Sequence, residues 1–395
     1  MTTRSHHTGL VLSGGGARGA YQAGALLGLA SLLERNRRTP FGIICGTSAG
    51  AINATMLGCR ADNFRNGVAR LVRLWRGIRV SDIYHADLGT LSRHGLRFLA
   101  SVVGVGAAPE GAASMLDNTP LAAFLEGTLE LSRVAEYCAA GTLAAVGVNV
   151  TSYATGKAVT FFCGGRGRSA WQRTRRRGER CMLSIAHLMA SAAIPFIFPA
   201  VRIGGEYYMD GSMRQIAPLS PALHLGARRV VVIGVGRFGG QQPGTAAESS
   251  RYPSFAQTAG HALSSIFLDN IGADLERLMQ MNKLVGLVPR RELDRHRLAL
   301  HHVDALLLAP SIDIGELSLR YADLLPSGVR ALLHGLGSTH GTGSNLTSYL
   351  LFDSRFCRAL IRQGYRDTLA RRDEIIAFLD PRRTRFVPLN WTMPT

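Results

Sequence analysis

Twice within the first 54 residues the chain runs through a short apolar stretch, breaks at glycines and restarts with helical spacing. Gly9-Leu10-Val11-Leu12-Ser13 leads into Gly14-Gly15-Gly16-Ala17-Arg18-Gly19, after which Tyr21, Leu26, Leu29 and Leu33 recur as on a helix. Phe41-Gly42-Ile43-Ile44-Cys45 then leads into Gly46-Thr47-Ser48-Ala49-Gly50 and a second helical start. Two consecutive strand, turn and helix units predict parallel strands, at 9–13 and 41–45, in a sheet covered by helices on both faces. Both turns then lie at the carboxyl ends of their strands, where such sheets bind ligands. If the strands are neighbours, the two turns face one crevice.

The second turn has the G-x-S-x-G spacing. A serine at a sharp strand-to-helix turn exposes its hydroxyl only when the residues two places away lack clashing side chains, which Gly46 and Gly50 satisfy. Glycines also end buried strands without doing chemistry, so the pentapeptide alone leaves both readings open. Three consecutive glycines in the first turn let the backbone approach a ligand and aim successive N–H groups into one concavity, suited to a phosphate or a developing oxyanion. A dinucleotide reading is available in the frame Gly14-x-Gly16-x-x-Gly19. It lacks a ribose-binding acid after the second strand, and no Gly-Lys-Ser/Thr follows to make a P-loop.

Downstream, Thr142 to Thr151 and Lys157 to Cys163 predict a hairpin around Ala154-Thr155-Gly156, and Arg229 to Val235 a buried parallel strand. Helices are expected from Asn63 to Arg76, from Asp117-Asn118-Thr119-Pro120, from Ser184 to Ala192, and from Ser254 to Leu287, with further helical segments from 345 to 379. Val201-Arg202-Ile203 and Glu206-Tyr207-Tyr208-Met209 are short strands, the second ending at Asp210-Gly211. An acid at a strand end followed by glycine is either a simple turn or an active-site group. Leu96 to Gly106 is apolar and reads as core or connector, or as a mobile cover or interfacial contact; Gly239 to Ser250 reads as a flexible loop.

The 45 basic residues against 27 acidic ones give a net charge of +18, and every basic residue but Lys157 and Lys283 is arginine. Such a surface favours anionic partners, and no nucleic-acid-binding motif accompanies it. Seven arginines and Trp171 crowd into residues 164–180, which read either as a solvated loop or as a contact with anionic headgroups. The six cysteines form no C-x-x-C pair and no ligand-like cluster with histidine, so no metal is expected and a reducing compartment fits. No apolar leader precedes the first strand, and Pro195 and Pro199 interrupt the long charge-poor run from Met182 to Val201. A cytoplasmic protein, at most peripheral on the inner membrane face, is the expectation.

Three separated features together resemble the patatin-like phospholipase family of bacterial type. Gly14-Gly15-Gly16-Ala17-Arg18-Gly19 is similar to its glycine-rich oxyanion motif, Gly46-Thr47-Ser48-Ala49-Gly50 to its nucleophile elbow, and Asp210-Gly211 to its aspartate-glycine motif. Ala190-Ser191-Ala192-Ala193-Ile194-Pro195 is similar to the small-residue segment before that aspartate, and Ser212 stands where the family commonly has glycine or alanine. The resemblance covers residues 9 to 235. It implies a three-layer α/β/α sandwich with a mainly parallel central sheet. A catalytic domain is expected over 1–310, and the helical segments towards the C-terminus are expected to form a mainly helical extension, 311–395, packed on it.

The resemblance further implies acyl-ester hydrolysis without a cofactor. Ser48 would be the nucleophile and Asp210 its base, backbone groups of the glycine turn would stabilise the oxyanion, and Arg18 would anchor the turn or meet a phosphate. The expected partners are a lipid substrate and an anionic membrane surface, with no nucleic acid. Three rivals stand beside this reading. They are a Ser-His-Asp hydrolase using His224 or His261, a non-catalytic lipid-binding or regulatory protein of the same fold, and a nucleotide-binding protein.

Overall fold

The computed structural model describes residues 8–34, 37–86, 89, 114–237, 255–296, 300–335 and 344–380. The apolar stretch 96–106 and the glycine-rich stretch 239–250 lie outside them. Alternation of side chains along the strands explains the layering. Leu10, Leu12, Ile44, Val146, Val148 and Val231 pack into one core, whereas Val11, Ile43, Cys45, Ala145, Val230 and Val232 pack into another on the opposite face. One sheet therefore lies between two helical layers.

The strands are β1 (Thr8–Leu12), β2 (Ile43–Thr47), β3 (Ala145–Ser152), β4 (Ala158–Gly164), β5 (Trp171–Gln172), β6 (Arg176–Arg180), β7 (Val201–Ile203), β8 (Glu206–Asp210), β9 (Arg229–Ile233) and β10 (Asp304–Leu308). They lie in the order β10-β9-β1-β2-β3-β4-β6-β5. The five from β10 to β3 are mutually parallel, β3 and β4 form the antiparallel hairpin expected from the sequence, and β7 pairs with β8. The first helices are α1 (Gly19–Leu32), α2 (Ala49–Gly58), α3 (Phe64–Gly77), α4 (Thr119–Thr128), α5 (Ser132–Ala139), α6 (Ile185–Ser191) and α7 (Ser220–His224). After the long α8 (Phe255–Leu287) come α9 (Arg290–Arg295), α10 (Ile314–Leu319), α11 (Ser327–Gly335), α12 (Ser344–Leu350), α13 (Ser354–Ala370) and α14 (Arg372–Leu379).

Pro120 opens α4 as expected, and the Asp117 Oδ1 accepts from the Thr119 N–H at 2.9 Å. Two local expectations are adjusted. The second strand runs to Thr47 and not Cys45, so Ser48 is the first residue beyond it. The arginine-rich run contains edge strands as well as turns: β6 pairs in parallel with β4, and β5 returns against β6. Charged side chains hide its β character from a search for apolar alternation. They are also what protects an edge strand from pairing with another chain.

The C-terminal helices complete the first layer. α13 packs along α1 so closely that a Cβ on Gly24 would strike the carbonyl of Ile361, and one on Gly364 the carbonyl of Tyr21. Phe356, Cys357 and Leu360 of α13 are fully buried in the same core as Leu26 and Leu29 of α1. Gly24→Leu is expected to force these helices apart at a cost of roughly 2 kcal/mol or more, read as a lower urea midpoint; an unchanged midpoint would show that the contact is not a tight one.

Candidate active site

Strand register brings Ser48 and Asp210 together. β3 extends beyond the end of β2, whose last residue, Thr47, lies opposite Asn149. The next position of β3, Val150, pairs instead with Asp210, because β8 arrives antiparallel along the same edge of β3. β2 and β8 thus run head-on towards each other, and the residues that leave their ends are Ser48 and Gly211. Ser48 and Asp210, 162 apart in sequence, therefore meet with no intervening layer.

Ser48 turns the chain. It holds φ 55° and ψ −128°, in the left-handed region that a non-glycine residue occupies at a cost on the order of 1–3 kcal/mol. The tight turn brings Gly46 against the carbonyl of Gly50, and Gly50 against the carbonyls of Leu12 and Ser13, so a Cβ at either glycine would collide with backbone. The spacing anticipated from the sequence is therefore a steric requirement. Ser48 donates its N–H to Ser191 Oγ at 2.8 Å, and Ser191 Oγ donates to the Asn149 carbonyl at 2.6 Å. One small hydroxyl at the end of α6 thereby ties the elbow to β3.

Asp210 is fully buried. Its N–H donates to the Ala193 carbonyl at 2.8 Å, and its Oδ1 accepts from the Ser212 N–H at 2.9 Å. Its Oδ2 is buried without a partner of good hydrogen-bond geometry, although the Ser48 hydroxyl is near enough to favour the charged carboxylate. Desolvation outweighs that help and the contributions of Ser212, pushing the Asp210 pKa up to about 6. A weak base in water becomes a usable one. Ser212, where the family has a smaller residue, fits beside the carboxylate and supplies one of its donors.

The glycine turn lies against the elbow. A Cβ on Gly19 would touch Ala49 at 3.0 Å, and Gly16 and Ser48 line the same cavity. Gly16 has φ +53° and its α-carbon faces the Tyr349 carbonyl of α12, so a side chain there is excluded on two counts. Within the turn, the Arg18 N–H donates to the Gly15 carbonyl at 3.1 Å and the Gly19 N–H to the carbonyls of Gly16 and Ala17. The Arg18 side chain is buried: its Nε donates to Ser348 Oγ at 2.7 Å and its guanidinium lies 4.6 Å from the Tyr349 ring centre. Of the two roles open to Arg18, it performs the anchoring one.

The cavity beside Ser48 is apolar, with Ile52, Trp75, Leu125, Ile194, Phe198 and Phe352 among its walls. Its polar support is hidden behind the turn. Trp75 Nε1 donates to Asn53 Oδ1 at 2.8 Å, Asn53 Nδ2 to Gln22 Oε1 at 2.8 Å, and Gln22 Nε2 to the Ser13 carbonyl at 2.8 Å. On the other side of the elbow, Thr47 Oγ1 donates to Gln215 Oε1 at 2.6 Å and accepts from Asn149 Nδ2 at 3.1 Å. None of Gln22, Asn53, Ser191 and Gln215 is marked by a motif of its own. Ser191 lies in the small-residue segment singled out from the sequence, but its bond to the elbow requires the fold.

His187 and His224 are engaged elsewhere. His187 caps the start of α6, its Nδ1 accepting the Ser184 N–H at 3.0 Å. His224 stacks on Trp171 with ring centres 5.1 Å apart, and its Nδ1 is within hydrogen-bond distance of Ser220. The side chain of His261 lies outside the described residues. Among the described residues no histidine hydrogen bonds to Ser48 or Asp210, no cluster suited to a metal ion occurs, and no helix is long and apolar enough to cross a membrane.

A serine of positive φ thus lies beside a buried carboxylate on a mainly parallel α/β sheet. The patatin-like phospholipase family model matches residues 10–223 of the 395, and the chain belongs to that family. Its class is accordingly that of lipid acyl hydrolases. Among solved structures, VipD from Legionella pneumophila is similar at 14% identity and a TM-score of 0.35, covering 93% of this chain and 67% of VipD. ExoU of the Pseudomonas aeruginosa type III secretion system, solved with SpcU, is similar at 15% identity and a TM-score of 0.25, with 95% of this chain and 79% of that one covered. The family match carries the assignment, not these distant likenesses. No curated protein matches the chain.

The raised pKa has a consequence for stability. The unfolded chain releases the Asp210 proton near the ordinary value of 3.8 and the folded chain near 6, so stability falls as pH rises across that window. Above it the full cost is on the order of 3 kcal/mol. Asp210→Asn is expected to resist urea better than the parent at pH 8, with the advantage shrinking below pH 4; a variant less stable at pH 8 would contradict a strained, desolvated carboxylate.

Proposed function

We propose that the chain is a serine acyl hydrolase of phospholipase A or lysophospholipase type, working through a Ser48–Asp210 dyad and an acyl-enzyme. What chiefly supports this is the head-on meeting of β2 and β8, which sets the elbow hydroxyl beside a buried, proton-avid carboxylate. Ser48 Oγ attacks the ester carbonyl while its proton passes to Asp210. The carbonyl oxygen becomes an oxyanion facing the glycine turn, where N–H groups of Gly15, Gly16 and Ala17 stabilise it. Such donors contribute on the order of 3 kcal/mol each. Collapse expels the alcohol, which takes the proton back from Asp210. Water then attacks the acyl-serine with Asp210 again as base, releasing the fatty acid and restoring Ser48.

The apolar cavity receives the acyl chain, and the arginine-rich surface meets an anionic membrane from the cytoplasmic side. The family resemblance and the net charge support these two assignments, and no cofactor enters the scheme. Ser48→Ala and Asp210→Asn should each lower hydrolysis of phospholipid vesicles by at least about a thousandfold, in line with the loss of a nucleophile or its base. The parent's kcat/KM should fall as pH drops through about 6, where Asp210 becomes protonated. Full activity in either variant would remove the dyad. A folded parent inactive on every lipid ester tested would favour the non-catalytic lipid-binding alternative.

A further inference from the structure

A second cavity, of about 420 Å³, opens on the opposite face of the sheet and shares no lining residue with the one beside Ser48. Its walls carry Arg173, Arg175 and Arg176 from the β5–β6 edge, Arg214 from the segment after β8, and Arg277 from α8; Arg177 also borders it, but its guanidinium turns to the other face of the sheet, bonding Glu206 and the Tyr208 hydroxyl. Among the described residues none of the other five has a carboxylate at ion-pair distance, whereas Arg177 pairs with Glu179 at 2.5 Å and Glu206 at 2.7 Å on the far face. Among the described residues, Asp274, half buried and accepting the Leu219 N–H, acts on the cluster through Arg176 and Arg277. Among the described residues, five arginines with a single carboxylate beside two of them leave the cavity strongly cationic. Keeping this many like charges around one space costs free energy unless an anion joins them.

The cavity has structural walls. Trp171 stacks between Phe162 and His224, with ring centres 5.3 and 5.1 Å away, and its ring lies over Gly178, where a Cβ would collide with it. This fixes the hairpin that presents Arg173 and Arg176. The floor includes Asn149, Thr160, Gly211 and Gln215. Thr160 Oγ1 donates to Asn149 Oδ1 at 2.8 Å, and Asn149 and Gln215 both bond Thr47, the residue before Ser48. The floor of the cationic cavity is thus the back of the elbow.

We propose that this cavity binds a phosphate ester of two or more negative charges, at a site separate from the one that cleaves the ester. Planar guanidiniums on three different segments match phosphate oxygens bidentately, and the volume suits a headgroup or a small organic phosphate. The phosphate comes either from a lipid headgroup at the membrane surface or from a soluble compound. Occupancy ties the β5–β6 edge to Arg214 and α8 across the residues that brace Thr47.

The test uses the full chain with Ser48→Ala, so that binding is read without turnover and independently of the hydrolytic reading. Pyrophosphate is titrated calorimetrically, and co-sedimentation is measured with phosphatidylcholine vesicles with and without phosphatidic acid. Two further pairs of substitutions, Arg175→Gln with Arg176→Gln and Arg214→Gln with Arg277→Gln, change different walls; Arg202→Gln, on β7 outside the cavity, is the charge control. The expected result is saturable binding of one pyrophosphate, weakened at least about tenfold by either pair and unchanged by Arg202→Gln. Phosphatidic acid vesicles retained in the same pattern identify a lipid headgroup as a source, and pyrophosphate binding alone identifies a soluble one. Binding to neither probe, or binding that both wall variants retain, would overturn the proposal. A parent with no esterase activity but intact pyrophosphate binding would sink the hydrolytic reading and leave this one standing.

Discussion

Everything in the site depends on one edge of β3. A strand of eight residues offers more hydrogen-bonding positions than β2 occupies, and β8 fills the remainder from the opposite direction. Because the two strands end against each other, the serine and the aspartate need no long side chains or intermediate histidine to meet. The arrangement has energetic costs at both ends: a left-handed backbone at Ser48 and a desolvated carboxylate at Asp210. The surrounding core over-determines both. Val148 and Val150 of β3 are fully buried on one face, while Asn149 on the other bonds Thr47.

The C-terminal helices take part in the same construction. Tyr349 and Ser348 of α12 hold Arg18, the residue that fixes the glycine turn from behind, and Leu350 and Phe352 wall the cavity beside Ser48. A chain cut after β9 would keep all three motifs and lose part of the cavity wall. Helix α13, pressed onto α1 through Gly24 and Gly364, keeps these contacts in place.

Much of this was legible in the sequence, for a physical reason. Turns that demand glycine announce themselves, so Gly14 to Gly19, Gly46, Gly50 and Gly211 marked the strand ends, and short continuous apolar runs marked the central strands. Three parts were not legible. The β5–β6 edge was masked because arginines replaced the apolar alternation that signals a strand. The supports Gln22, Asn53, Ser191 and Gln215 carry no local pattern, since a buried hydrogen bond between distant residues is a property of the fold. The raised pKa of Asp210 arises from burial, which the Asp-Gly dipeptide alone does not distinguish from an exposed turn.

The most direct measurement of the dyad is rapid-quench mass spectrometry of the acyl-enzyme across a range of pH. The acyl group should appear on the Ser48 peptide, at a rate that falls as pH drops through about 6, the value to which burial pushes Asp210, and it should fail to accumulate in Asp210→Asn. An acyl group on another residue, or acylation of Ser48 that is indifferent both to pH in that range and to loss of the Asp210 carboxylate, would contradict the account.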